Sequence, residues 1–336
     1  MRISVKSIIL VFLMLALSLS VATNSLNGEV ETPTFEEIVE PLNVILPIAD
    51  LNVPGHQEGS IFTDTTLSSG WRHTCAILDN GSASCWGENG QGRLGHGAGN
   101  HENTPTQTSG FGDERTAVSV SSGKEHTCAI LDNGAVSCWG GWGTSGELGQ
   151  ESTGHPHFST LTLSLGTNRT AVALSSGDSF TCGILDNGSV NCWGRGNIGQ
   201  IGIGTTYNGN HPTQTSSLGI GRTAVAISSG YSHTCVILDD GSVSCWGANS
   251  HGQLGDGTIT DRYTPTQTSS FGTERTAVGI SSGNRHTCAI LDDGTVSCWG
   301  RNAGTIGDGT TTDRYTPTQT SGLGTGRTAV AISSGD

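Results

Sequence analysis

The chain has 336 residues, 51 of them glycine, with 13% charged residues and a formal net charge of −14. That length suits one large all-β array, and low charge with abundant glycine marks many tight turns rather than disorder. An acidic surface repels phosphate backbones, so nucleic acid is excluded as a partner. Lysine occurs only at Lys6 and Lys124; the other basic residues are arginine.

In chain order, residues 1–22 read as a secretory signal peptide. Arg2 and Lys6 form a positive start, Ile8 to Val21 an apolar run, and Ser20-Val21-Ala22 a small-x-small cleavage site. The run is short for a membrane span and polar residues follow, so no span is expected after cleavage. Cleavage before Thr23 removes Arg2 and Lys6 and no acid, which takes the charge from −14 to −16. Residues 23–59 mix Glu29, Glu31, Glu36, Glu37 and Glu40 with Pro33, Pro41, Pro47 and Pro54, the composition of an acidic linker. Within them Asn43–Ile48 has the pattern of a strand that would complete a blade.

Residues 60–336 repeat one pattern: His-Thr-Cys-Ala-Ile-Leu-Asp-Asn-Gly-x-Val-Ser-Cys-Trp-Gly. First cysteines fall at Cys75, Cys128, Cys182, Cys235 and Cys288, spaced by 53, 54, 53 and 53 residues. A fixed period of this size fits propeller blades better than helical solenoids. Each period reads as four strands, in the last full copy Pro265–Thr268, Thr276–Ser281, His286–Leu291 and Thr295–Trp299. Proline is placed at a strand start, where it removes no ladder bond. No window outside the leader carries a helical apolar stripe. The expected fold is all-β, a propeller of four-stranded blades.

The hairpin turn fixes a register. Leu78-Asp79-Asn80-Gly81-Ser82 is a three-residue loop with Gly last, a type I turn plus G1 bulge. Leu78 then faces Ser82, and three steps outward Cys75 faces Cys85 at a non-hydrogen-bonded pair, where strands approach closest. The same reading pairs Cys128 with Cys138, Cys182 with Cys192, Cys235 with Cys245 and Cys288 with Cys298. It uses all ten cysteines behind a leader, as expected of disulfides in an oxidising compartment.

The run Ser228–Thr258, with Trp-Gly-Ala-Asn-Ser-His-Gly-Gln-Leu-Gly at Trp246–Gly255, resembles the RCC1 repeat. The resemblance recurs five times over residues 60–336. It is looser at Trp139–Gly149 and at Trp299–Gly307, where Thr305-Ile306 replaces Gln-Leu. It implies a β-propeller, typically of seven blades. Ser333-Ser334-Gly335-Asp336 opens a sixth repeat, which suggests a C-terminal truncation.

Several motifs resolve into turn or packing chemistry. Gly90–Gly95 matches GxGxxG, and Gly219–Ala224 and Gly324–Ala329 a variant, but none sits between a strand and a helix as a dinucleotide site requires. His73, His126, His233 and His286 stand two residues before a Cys, a spacing open to zinc. Phe180 fills that slot once, so the favoured reading is a histidine capping a neighbouring backbone. Asp256, Asp261, Asp308 and Asp313 lack EF-hand spacing and are read as bonding their own turns. Of three glycosylation sequons, those at Asn80 and Asn187 fall in hairpin turns, whose own chemistry explains them; the third is at Asn168. The Cys-Trp-Gly tryptophans read as scaffold. No metal site and no cofactor are expected.

Positions that vary between repeats are the candidate binding residues. One zone is the pair before His-Thr-Cys, Trp71-Arg72, Lys124-Glu125, Asp178-Ser179, Tyr231-Ser232 and Asn284-Arg285, one turn per blade around one face, of which Trp71, Arg72, Lys124, Tyr231 and Arg285 are the candidate anchors. The other is the long loop after Cys-Trp-Gly. It contributes Trp142, His155, Phe158 and Tyr207, with Arg262, Tyr263, Arg314 and Tyr315. Aromatics and Arg are usual interface anchors, although loop aromatics serve equally to pack between blades. With no catalytic triad, zinc motif or acid/base pair legible, the expected function is a secreted or cell-surface, non-catalytic scaffold. Its partner would be an extracellular protein or a surface glycan. Alternatives are a guanine-nucleotide exchange factor-like regulator of a small GTPase, as the resemblance implies, and a polysaccharide-active enzyme.

Overall fold

A computed structural model describes residues 66–112, 114–150 and 156–335. The expected leader and linker, the strand expected at Asn43–Ile48, and His155 lie outside the described residues. The described part is all strand and turn, with twenty strands in five antiparallel four-stranded sheets. Blade 1 is Leu67–Ser69, His73–Ile77, Ala83–Gly87 and Glu102–Gln107, paired in chain order. Blade 2 begins at Ala117–Ser122, blade 3 at Ala171–Ser176, blade 4 at Ala224–Ser229 and blade 5 at Ala277–Ser282. These first strands contact one another from blade to blade, so they are innermost. This is the β-propeller arrangement, each blade a twisted meander packed face to face on the next.

The sheets are out of phase with the repeat as read from sequence. Pro-Thr-Gln-Thr closes the preceding sheet rather than opening its own. In blade 4 it forms the outer strand Arg262–Gln267, with Cys245 opposite Thr266. Pro265 therefore sits within a strand, not at its start. The strand is a sheet edge, where a residue without an N–H is tolerated.

The hairpins follow the expected register. Ile77 faces Ala83, Ala76 faces Ser84, and Cys75 faces Cys85. The Leu78 amide donates to Ser82 O at 2.8 Å, which makes the cysteine pair non-hydrogen-bonded. All five cysteine pairs are disulfides, with Cα–Cα distances of 4.1 Å in four and 4.0 Å in the fifth. At the turns, Asn80 and Asn187 Oδ1 accept from the amides of Ser82 and Ser189.

The core is divided into layers between blades. Blade 1 contributes Cys75, Cys85 and Leu94 to the first layer, and blade 2 contributes Val120, Leu131 and Trp139. Central strands such as His126–Leu131 and His233–Leu238 are buried along their whole length, because both faces meet a neighbour. That is why the period-two alternation of a half-exposed strand is missing.

Three kinds of bond fasten neighbouring blades: the first recurs at every joint, the second is missing where Phe180 replaces histidine, and the third is missing where Trp193 Nε1 is buried without a partner. At the inner strands the Ser122 amide donates to Ser68 Oγ at 2.9 Å, and the pairing repeats as Ser176 to Ser121, Ser229 to Ser175, Ser282 to Ser228 and Ser334 to Ser281. Further out, His73 Nε2 meets Thr127 Oγ1 at 2.8 Å, and His126 and His233 meet Thr181 and Thr287. The Thr127 hydroxyl donates to Arg93 O, so the histidine donates from Nε2–H and its buried Nδ1 has no partner. Histidine thus caps a hydroxyl of the next blade rather than its backbone. The cysteines that zinc would need are held in disulfides.

The third set explains the Gly-Gln-Leu-Gly element. In blade 3 the Gln200 carbonyl accepts from Trp246 Nε1 at 2.9 Å and from the Thr234 hydroxyl at 3.1 Å, both in blade 4. Ile201 beside it is fully buried. The following Gly202 has φ of 69°, and a Cβ there would lie 2.8 Å from the Trp246 ring, so only glycine fits. Arg93 and Gln253 carbonyls repeat this with Trp139 and Trp299.

Candidate functional site

Each inner strand ends in Ser-Gly-x before the chain turns into the His-Thr-Cys strand. A Cβ on Gly230 would lie 2.3 Å from the Gly283 carbonyl of the next blade and 2.4 Å from His233 Cε1. The turns are therefore drawn together around the axis, and the residue after each glycine is carried inward at an equivalent position. Those residues are Trp71, Lys124, Asp178, Tyr231 and Asn284. With the serines and glycines before them they line one open cavity of about 570 Å³.

Four of the five side chains converge. Lys124 Nζ lies 3.0 Å from Asp178 Oδ1 and donates to Tyr231 Oη at 3.3 Å. It also stands over two rings, 5.3 Å from the Trp71 centroid and 5.1 Å from that of Tyr231, within cation–π range. Burial pulls the Lys124 pKa down, but the Asp178 carboxylate and the Tyr231 hydroxyl outweigh it and hold the pKa above its ordinary value. Lys124 is a permanent cation here. The Arg72 guanidinium lies 3.9 Å over the Trp71 ring and pairs with Glu88 at 3.2 Å. Arg195 reaches Asp178 Oδ2 at 3.4 Å. Below them Arg93 bridges to Glu125, whose pKa is raised by burial in spite of its cationic neighbours.

The Cys-Trp-Gly loops open on the same face, since strands alternate direction and both connections leave the same sheet end. The Glu88 amide donates to Arg72 O, which joins the two zones directly. In this outer zone the structure separates loop scaffold from exposed side chains. Arg262 is bonded to Asp256 and Arg314 to Asp308. The two aspartates also accept from the Thr258 and Thr310 amides and from Asn249 and Asn302. Both arginines thus tie their own loops. Tyr263 packs on Gly199 and Tyr315 on Gly252 of the preceding blade, each leaving one part in solvent. Phe158 packs beside Gly97, and Trp142, Phe158 and Tyr207 are all more than half exposed. Arg285 meets His251 Nε2 at 3.3 Å.

The inner zone comes together around one cavity; the outer residues stay spread along the rim. Asp178, one of the variable positions before the His-Thr-Cys strand, and Arg195, which was not among the candidates, complete the cluster. Asp178 had a signal, since it occupies the same register as Lys124 and Tyr231.

Comparison with known proteins agrees with this architecture. The RCC1-like domain family matches residues 34–336. The chain belongs to the RCC1-like domain family. Among curated RCC1-like relatives, the ultraviolet-B receptor UVR8 of Arabidopsis thaliana is 31% identical over 253 residues, covering 75% of this chain and 56% of that protein. The E3 ubiquitin-protein ligase HERC2 of Homo sapiens is 30% identical over 76% of this chain but only 5% of its own length. The chain thus spans about half of one relative and a small part of the other. Yeast RCC1 (Prp20), solved with Kap60, superposes with a TM-score of 0.68 at 20% identity, over 80% of this chain and 65% of that one. Human WBSCR16 superposes with 0.56 at 19%, over 81% and 86%. These RCC1-like structures share the fold.

Proposed function

We propose that this RCC1-like propeller is an exported, non-catalytic scaffold that binds a partner protein over the face carrying the Ser-Gly-x turns and Cys-Trp-Gly loops. The observation that carries the reading is the contrast at the mouth. The same Ser-Ser bond holds the turns at all four joints, with His-Thr and Trp-carbonyl bonds at three joints each, while the side chain after each glycine differs from blade to blade. A rigid frame presenting varied side chains suits recognition. Export is supported by the leader pattern and by the use of every cysteine in a disulfide. The test is photo-crosslinking of the oxidised chain to native extracellular proteins. A photoreactive residue replaces Trp71 on this face or Asn187 in a hairpin turn on the opposite one. A discrete adduct from position 71 alone is expected. Adducts from both positions, from neither, or substrate turnover would refute the reading.

A further inference from the structure

We infer that the partner enters the mouth with an acidic, extended peptide segment, one of whose carboxylates is held by Lys124 and Tyr231. This rests on the scaffold reading above and specifies the chemistry of its partner.

The first support is where the charge sits. The chain carries −14, and its one lysine beyond the leader stands in the central cavity. Around the mouth are five cations, Lys124, Arg72, Arg93, Arg195 and Arg285, against three carboxylates, Asp178, Glu88 and Glu125. Arg285 has no carboxylate partner among the described residues. An acidic protein therefore shows a local positive excess at its axis, which attracts anions and repels cations.

The second support is the donor inventory. The Lys124 ammonium has three protons. Asp178 and Tyr231 take two, which leaves one for a ligand. Tyr231 Oη accepts from Lys124, so its own proton is also available to donate. Two donors whose heavy atoms are 3.3 Å apart can engage the two oxygens of one carboxylate.

The third support distinguishes a peptide from a sugar. A sugar ring stacks on an open aromatic face. Here Arg72 covers Trp71 at 3.9 Å, and Lys124 stands over both Trp71 and Tyr231. The rings serve to hold cations in place. The cavity of about 570 Å³ is within the usual range for a ligand site.

The experiment is isothermal titration of the oxidised full chain with hexaglutamate, hexalysine and an oligogalacturonate at low and high salt. Hexaglutamate is expected to bind, more weakly at high salt. Lys124→Gln should weaken it at least ten-fold and Tyr231→Phe several-fold. Lys124→Arg should restore most of it, and Arg169→Gln on the opposite face should leave it unchanged. Melting and disulfide mapping of each variant check the fold, and Tyr231→Phe carries the test if Lys124→Gln is unstable. Hexaglutamate that fails to bind, or binds the Lys124 and Tyr231 variants as well as the parent, overturns the inference. So does oligogalacturonate bound through Lys124 without hexaglutamate, which would make the mouth an acidic-sugar site. A protein adduct at position 71 without hexaglutamate binding would leave the scaffold standing and this inference refuted. Absence of any adduct would refute the scaffold itself.

Discussion

The joints between blades contain a built-in acid sensitivity that can be measured. Burial, aided by Arg93 and His126, lowers the His73 pKa from 6.5 to about 3; burial, aided by His286, takes His233 to about 3. Both folded values lie below the unfolded one. The unfolded chain therefore binds protons that the folded chain refuses, and stability falls as pH drops from 6.5 towards 3. Each pH unit in that window costs about 1.4 kcal/mol per histidine, so at pH 5 the pair costs about 4 kcal/mol relative to pH 7. Phenylalanine is a natural probe, because Phe180 occupies the equivalent slot and is fully buried. The double variant His73→Phe, His233→Phe removes both titrations and leaves the Thr hydroxyls bonded to Arg93 O and Gln253 O. Denaturant unfolding with disulfides intact, at pH 7 and pH 5, should show the variant losing about 4 kcal/mol less than the parent. Carboxylates with lowered pKa values, such as Asp240 and Asp256, begin to cost stability only at lower pH. Equal losses in the two proteins would show that the buried histidines do not titrate as their surroundings dictate.

Other perturbations reach the remaining joints. Gly230→Ala places a methyl against the Gly283 carbonyl and should cost about 2–3 kcal/mol or block folding, read by thermal melting. Trp246→Phe removes the bond to Gln200 O and part of a buried ring, for a loss of about 1–3 kcal/mol in denaturant unfolding. Replacing Cys235 and Cys245 together by alanine opens a ten-residue loop and should cost about 2–3 kcal/mol, with the other four bridges intact by peptide mapping. Arg262→Ala should raise proteolytic nicking after Asp256 while costing no more than about 0.5–1 kcal/mol in denaturant unfolding, since its bond is local and partly exposed.

Blade and hairpin were legible because their determinants are local. Leu-Asp-Asn-Gly fixes the turn, the turn fixes the register, and the register pairs the cysteines. The phase of the sheet was harder to read. Pro265-Thr266-Gln267 pairs backwards across a long loop, and no local signal states to which sheet an edge strand belongs. The mouth was legible only in part. Repeat comparison marked Trp71, Lys124 and Tyr231 as variable, but Lys124 and Tyr231 are 107 residues apart, and only the curvature of the array brings them together. In the outer loops Arg262 and Arg314 resembled anchors by residue type alone. The aspartate six residues before each one holds it, a pairing visible in the sequence but meaningful only once the loop folds back.

The Ser-Ser, His-Thr and carbonyl-Trp bonds also govern how such a chain can change length. Each links one repeat to the next, with partners 53 to 55 positions apart in the serine and histidine sets and 46 apart in the carbonyl-Trp set. Removing or duplicating one whole repeat would rebuild the serine contacts at the new boundary, and the histidine and tryptophan contacts wherever the repeats brought together supply both partners, whereas a partial insertion would shift them out of register. Changes of length are therefore structurally permitted in whole-blade steps. Each step would exchange one side chain at the axis, so a family of such chains can diversify its mouth by shuffling blades as well as by point substitution.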